Sequence, residues 1–253
     1  MAFVPGCPLP FESIEQKGLP IDQQCAKDGS AVPGSSTAKQ NEVKNNFCAT
    51  GTPVELSFTN FDQLQQSAVN KNIPFGNQNL PVDRSVLANM LTVNGQPIGE
   101  GTVVMLVGFV FDARHSNTKF FNETGESVNC MSGELDMNDI HIQLAESGSL
   151  LNQADECQTV TAEISPHYRP ASWDRFDVNP KTAEAARGLP LKGAKVRISG
   201  QLFFDASHVP CVGGQGSTPR RRSNWEIHPV YAIDVFDQSK QQFIALDEWA
   251  KDK

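Results

Sequence analysis

The sequence predicts a mainly β protein, a five-stranded β-barrel of the OB type with one helix between its third and fourth strands. Three observations predict it. From Gly101 onward, apolar and polar residues alternate in separate runs, with the period of a half-buried strand. A helical segment interrupts these runs once, after the third. The first and fourth runs each carry an internal glycine, Gly108 and Gly200, of the kind that lets a small barrel turn a corner.

The first strand is expected over residues 102–112, followed by a long polar loop over 113–137. The second covers 138–145, with Ile140, Ile142 and Leu144 on one face and Asp139, His141 and Gln143 on the other. The third covers 158–164, where Val160, Ala162 and Ile164 alternate with Thr159, Thr161 and Glu163. Asn179-Pro180 opens a short helix over 181–187, which Gly188 ends. The fourth strand covers 194–204. A Gly-rich loop over 210–217 leads to the fifth, 225–236. A β-sandwich is the main rival, and the single helix weighs against it.

Residues 1–100 read as an N-terminal extension packed on the core, and residues 101–253 as the barrel domain. Up to about residue 53 the chain is rich in Pro, Gly, Ser, Gln and Asn, and no helical or strand period persists. Phe3, Val4, Cys7, Leu9, Phe11, Phe47 and Cys48 favour an irregular arm that packs over a disordered one. Phe61, Leu64, Ala68 and Val69 then fall at helical spacing, with Thr59 or Asn60 as the cap. A second short helix is expected over 83–91, and a turn at Asn94-Gly95.

The 253 residues, 39% of them hydrophobic, suit one large domain or a core with an extension. The net charge of −8 argues against a bulk nucleic-acid coat protein. No run approaches the ~20 apolar residues that cross a bilayer, so no membrane insertion is expected. No signal peptide is visible, which leaves a cytoplasmic chain or an exported mature form. The six cysteines include no C-x-x-C pair. They suit disulfides better than a zinc ribbon, and their pairing is not legible.

Chemistry concentrates on three segments: Asp139-Ile140-His141, Ala162-Glu163-Ile164 and Trp225-Glu226-Ile227-His228-Pro229. In the OB order the second strand pairs with the third, and the third with the fifth. Asp139, His141, Glu163, Glu226 and His228 can therefore form one patch of candidate catalytic residues. Carboxylates beside imidazoles suit acid/base work or a divalent metal, for which His141, Glu163 and His228 are the first candidates. The plainer reading is a solvated strand face with cross-strand pairs. Arg221, Arg222, Ser223 and Trp225, in and after the one dense basic run, are the candidates for binding an anionic ligand. Asp112/His115 and Asp205/His208, at the ends of antiparallel neighbours, are assigned to capping or loop anchoring.

These segments resemble a group of uncharacterised bacterial proteins in which a D-x-H strand, an E-bearing strand and an E-[IL]-H-P-V strand recur in this order. The resemblance spans about residues 139–235 and is most distinctive at Trp225-Glu226-Ile227-His228-Pro229-Val230. A fainter echo lies at Lys44-Asn45-Asn46-Phe47-Cys48. It implies that Asp139, His141, Glu163, Asp205, His208, Glu226 and His228 share one pattern, and it implies no activity.

The leading expectation is a binding module for an anionic ligand, an oligonucleotide or glycan, held by the barrel face and the Arg-rich loop; the only cofactor the sequence suggests is a divalent metal. The alternative is a metal-dependent phosphoester hydrolase or nuclease built on Asp139, Glu163, Glu226 and His228, with Arg222 neutralising charge. A third is a structural or secreted interaction protein in which the same residues only hold the barrel together. Convergence of the five side chains within ~5 Å separates a reactive or metal site from a solvated face.

Overall fold

The alternating runs form the wall of a closed barrel. The computed structural model describes residues 2–14, 19–76, 80–148, 153–211, 216, 219–251 and 253. In chain order the strands are β1 (Val54–Leu56), β2 (Leu91–Val93), β3 (Gln96–Ile98), β4 (Val103–His115), β5 (Ile140–Ala145), β6 (Val160–Ile164), β7 (Lys195–Phe204), β8 (Trp225–Asp237) and β9 (Gln242–Ala245). The helices are α1 (Ile21–Gln24), α2 (Ser36–Lys44), α3 (Phe58–Asn70), α4 (Pro180–Ala186) and α5 (Leu246–Ala250).

β4 pairs antiparallel with both β5 and β7, β5 with β6, and β7 with β8. β6 runs parallel to β8 and closes the ring. With α4 between β6 and β7, this is the OB-type order the alternation predicts. β1 adds in parallel to β4, β9 adds to β8, and β2–β3 form a separate hairpin whose turn is Asn94-Gly95.

β4 serves two neighbours. Residues 103–109 pair with β7, and residues 109–115 pair with β5. Gly108 stands at this hand-over, close to the Phe58 ring. The strand runs three residues past its expected end, because the ladder with β5 resumes beyond a register shift between Val110 and Asp112. Gly200 is the second corner, flanked by shifts in the ladder with β8. A Cβ there would stand 2.4 Å from the Pro229 carbonyl oxygen and 2.7 Å from Ile227 Cγ2. Gly200→Ala should therefore cost about 1–3 kcal/mol, the usual range for overpacking. An unchanged urea midpoint would refute that.

The barrel interior holds Ile140, Ile142, Leu144, Val160, Ala162, Ile164 and Ile227, all buried. Each fully buried Ile, Leu or Val side chain contributes about 1.5–3 kcal/mol. The N-terminal arm joins the same core through Phe3, Phe11 and Phe47, with Phe47 edge-on to the other two. Val4 departs from the expectation and is 71% exposed. Three cysteine pairs stand at disulfide distance: Cys7–Cys48, Cys25–Cys130 and Cys157–Cys211. The first joins the two ends of the arm, and the second ties the arm to the loop before β5.

Several local expectations need correction. α3 is capped by Ser57 rather than Thr59 or Asn60, because Phe58 already turns into the core. Asn60 completes a capping box: its N–H donates to Ser57 Oγ and its Oδ1 accepts from the Ser57 N–H. Val69 is 48% exposed, since the buried stripe is Phe58, Phe61, Leu64 and Ala68. The helix expected over 83–91 is a single 3₁₀ turn, Arg84–Leu87, after which Leu91 opens β2. The loop expected over 210–217 lies mostly outside the described residues. No helix among the described residues is long and apolar enough to cross a membrane.

The arm contains two helices that the sequence does not announce. α2 begins at Ser35, whose Oγ accepts the Ala38 N–H. Its buried residues are Ala38, Gln40, Asn41 and Lys44, so it has no apolar stripe. It lies on the outer face of the barrel. Gln201 of β7 donates through Nε2 to the Val43 carbonyl at 2.8 Å, and Ser165 Oγ, just past β6, donates to Asn45 Oδ1 at 3.4 Å.

Candidate functional site

Strand register gathers the polar residues. His141 stands opposite Glu163 across the β5–β6 ladder. Ala162 stands opposite Ile227 across the parallel β6–β8 pair, so Glu163, Glu226 and His228 project from one face. Asp139 arrives immediately before β5. That approach is clamped by Arg169, whose Nη1 donates to the Asn138 carbonyl at 2.9 Å and Nη2 to that of Asp136 at 3.2 Å.

All five candidates converge, and they are buried rather than solvated. Asp139, Glu163, Glu226 and His228 are at most 1% exposed, and His141 is 9% exposed. His228 Nδ1 lies 2.8 Å from Glu163 Oε2 and 3.4 Å from Glu226 Oε1, and His228 Nε2 lies 3.9 Å from Asp139 Oδ1. His141 Nε2 lies 3.4 Å from Glu163 Oε1. Asn129 Nδ2 donates to Asp139 Oδ2 at 2.7 Å.

The sequence reading missed Lys44, Glu126 and the inward turn of Arg221, and only the resemblance set Asp205 and His208 beside the five candidates. Lys44, from α2, places Nζ 3.2 Å from Glu126 Oε2, 3.8 Å from Asp205 Oδ2 and 3.9 Å from Glu163 Oε2. Arg221 Nη1 lies 2.8 Å from Glu226 Oε2 and 3.5 Å from Asp205 Oδ2. Asp205 therefore belongs to the cluster and is more than a strand cap; His208 Nε2 is 3.3 Å from its Oδ2. At the opposite strand end, His115 Nδ1 is 2.8 Å from Asp177 Oδ2 and anchors a loop as expected. The one available signal for Lys44 was the echo at residues 44–48, which contains it.

Charge and burial set the protonation states. Burial pulls His228 down, but Glu163, Glu226 and Asp139 outweigh it and raise its pKa to about 10, so it carries a proton. Burial also opposes the charge on Glu163, yet His141, Lys44 and His228 hold it well below the usual carboxylate range. Burial and then Glu163 push Glu226 up to about 7, against the pull of Arg221. Burial and the Arg221 charge lower His208 to about 4, so it is neutral at pH 7. Lys44 is raised despite burial, by Glu126, Asp205 and Glu163.

Contact is close without every hydrogen bond being aligned. Both Glu163 oxygens, His141 Nε2, His228 Nε2 and Asp205 Oδ2 are buried with no aligned hydrogen-bond partner. An unsatisfied buried group costs about 1–3 kcal/mol, and more when it is charged. Two ligand trios have donor atoms within 4.8 Å of one another: Asp139/His141/Glu163 and Glu163/Glu226/His228. Of the first trio, His141 also lines a cavity of about 130 Å³ with Asp112, Arg114, Gln143, Glu156 and Thr161, whereas Asp139 and Glu163 lie behind it.

The basic run turns largely inward. Arg221, Ser223 and Trp225 are buried. Ser223 Oγ donates to Gln65 Oε1 at 3.2 Å, and the Trp225 ring packs at 5.0 Å on Phe204. Arg222 keeps a 20% exposed side chain, 3.1 Å from Asp62 and 4.0 Å from Glu146, with its guanidinium over the Phe58 ring.

Comparison of the chain with protein-family models, with curated proteins and with solved structures finds no match.

Proposed function

We propose that the barrel holds a divalent metal ion at Asp139, His141 and Glu163 and hydrolyses a small substrate, a phosphoester first among the candidates, admitted through the cavity above His141. The observation that carries this reading is the convergence of three buried donor atoms beside a polar cavity that one of the three residues, His141, lines. One imidazole and two carboxylates suit Zn²⁺, Mn²⁺ or a similar ion, and three protein ligands leave a position open.

The chain's own residues prepare that position. Asn129 holds Asp139 Oδ2, which leaves Oδ1 for the ion. His228 and Lys44 draw Glu163 Oε2 the other way, which leaves Oε1 facing His141. Bound there, the ion would acidify water and polarise the scissile group. The reading as a binder of anionic oligomers draws no support from Arg221, Ser223 and Trp225, which face inward; it keeps only Arg222.

Protein dialysed against Mn²⁺ or Zn²⁺ should retain a single ion per chain, and His141→Ala should abolish this. Asn129→Ala should weaken affinity about 10–100-fold, as for other residues that orient a ligand. Hydrolysis of a chromogenic phosphoester should stop with EDTA. A chain that takes up no divalent ion would leave the second reading, a charge network that only locks the fold. The three cations already among the acids, Lys44, Arg221 and protonated His228, favour that reading.

A further inference from the structure

Lys44 has the surroundings of a ligand. Its side chain is 5% exposed, and its ammonium meets three carboxylate oxygens from three separate parts of the fold: Glu126 in the loop before β5, Glu163 in β6 and Asp205 after β7. The Phe203 ring adds a fourth side, with its centroid 5.9 Å from Nζ. Only the Glu126 contact is a hydrogen bond. Asp205 Oδ2 and Glu163 Oε2 are buried and within 4 Å of the ammonium, and each has a second cationic or imidazole neighbour, Arg221 and His208 at Asp205 and His228 at Glu163. Acceptors built around a cation on the barrel wall, with the cation delivered by a separate arm, have the form of a receptor site and a tethered ligand.

The location points the same way. OB barrels commonly take ligands on the face of their second and third strands and the adjoining loops. Here those strands are β5 and β6, and α2 covers the same outer face where β6 and β7 meet it. The loop before β5, which contributes Glu126, is joined to the arm by Cys25–Cys130.

We infer that Glu126, Glu163, Asp205 and Phe203 form a primary-ammonium site on the outer barrel face, and that Lys44 is its tethered occupant, replaceable by a free alkylammonium ion. A primary ammonium presents three donors on a compact charge, which suits three converging carboxylates. A quaternary ammonium has no donor, and a guanidinium is planar. The inference shares Glu163 with the metal reading, through Oε2 rather than Oε1, and does not require an ion at Oε1.

Chemical rescue tests it. Lys44→Ala removes three methylenes and the ammonium, the volume of n-propylammonium. The variant is refolded in n-propylammonium chloride, in tetramethylammonium chloride and in NaCl at equal ionic strength. Expected is a folded protein whose Tm rises saturably with n-propylammonium alone, while wild-type Tm does not respond. A variant that folds only with n-propylammonium supports the site equally. Equal behaviour in all three salts, folded or unfolded, would overturn it. Adding Glu126→Gln to Lys44→Ala should abolish the selective response, and a response that survives this change would place the amine elsewhere. Metal uptake by wild-type protein, measured separately, decides the hydrolase reading whichever way the rescue falls.

Discussion

Arg221→Ala should destabilise the protein by about 3–5 kcal/mol, the range for removing one partner of a buried ion pair. For a chain of this size that is a fall in Tm of about 6–20 °C. The guanidinium is completely buried, and Nη1 alone reaches Glu226 at 2.8 Å and Asp205 at 3.5 Å. Without it two carboxylates stay out of water with one cation fewer, and screening by salt does not reach them. The companion experiment is Arg221→Met with Glu226→Gln. Removing both charges together should restore much of the loss, because the single change is dominated by the charge left behind. Guanidinium-chloride titrations of the two variants check this. A loss below about 1 kcal/mol for Arg221→Ala, the value of a surface pair, would show that the network is hydrated.

Replacing Cys25 and Cys130 together by Ala should cost about 2–5 kcal/mol, and its effect should be local before it is global. The bond closes a loop of 105 residues. On the chain-entropy account a loop of that length stabilises by about 5 kcal/mol. It is also the covalent tie between the arm and the loop that carries Glu126. In the variant, amide exchange across residues 36–44 should quicken by more than exchange in β5 or β6, because α2 has no apolar stripe to hold it down. Uniform acceleration across the chain would show instead that arm and barrel open as one unit.

The barrel was legible because its interior obeys a period of two. Ile140, Ile142 and Leu144 declare one face, and nothing in the rest of the chain changes their reading. The opposite face was legible as a set of polar residues but not as a buried one. His141 and Gln143 look like a solvated strand face, yet His141 meets the buried Glu163 and Gln143 is covered by the segment before β8, donating to the Arg220 carbonyl. α2 itself was illegible because hydrophobic periodicity finds helices that bury apolar faces, and this one buries Gln40, Asn41 and Lys44. Arg221 was misjudged for the related reason that a basic run reads as exposed. The run divides at its middle: Arg221 turns in to Glu226 and Asp205, while Arg222 stays near the surface beside Asp62. Lys44 meets Glu126 across 82 residues of sequence, a distance no local pattern bridges.

The order of these partners along the chain bears on how the molecule is made. A ribosome delivers α2 long before Glu163, Asp205, Arg221 and Glu226 exist. Until β6, β7 and β8 have closed the ring, Lys44 has only Glu126 of its three acids to meet and Gln40 no Asp205 to bind. The arm is thus synthesised before the barrel and is among the last parts able to settle, since non-local pairing is slow. During that interval Cys7, Cys25 and Cys48 stand on a chain still without its docking surface. Cys7 and Cys48, 41 residues apart, can meet early, whereas Cys25 waits for Cys130 to be in place. In a growing chain, the last contacts made by the arm report that the barrel behind it is finished.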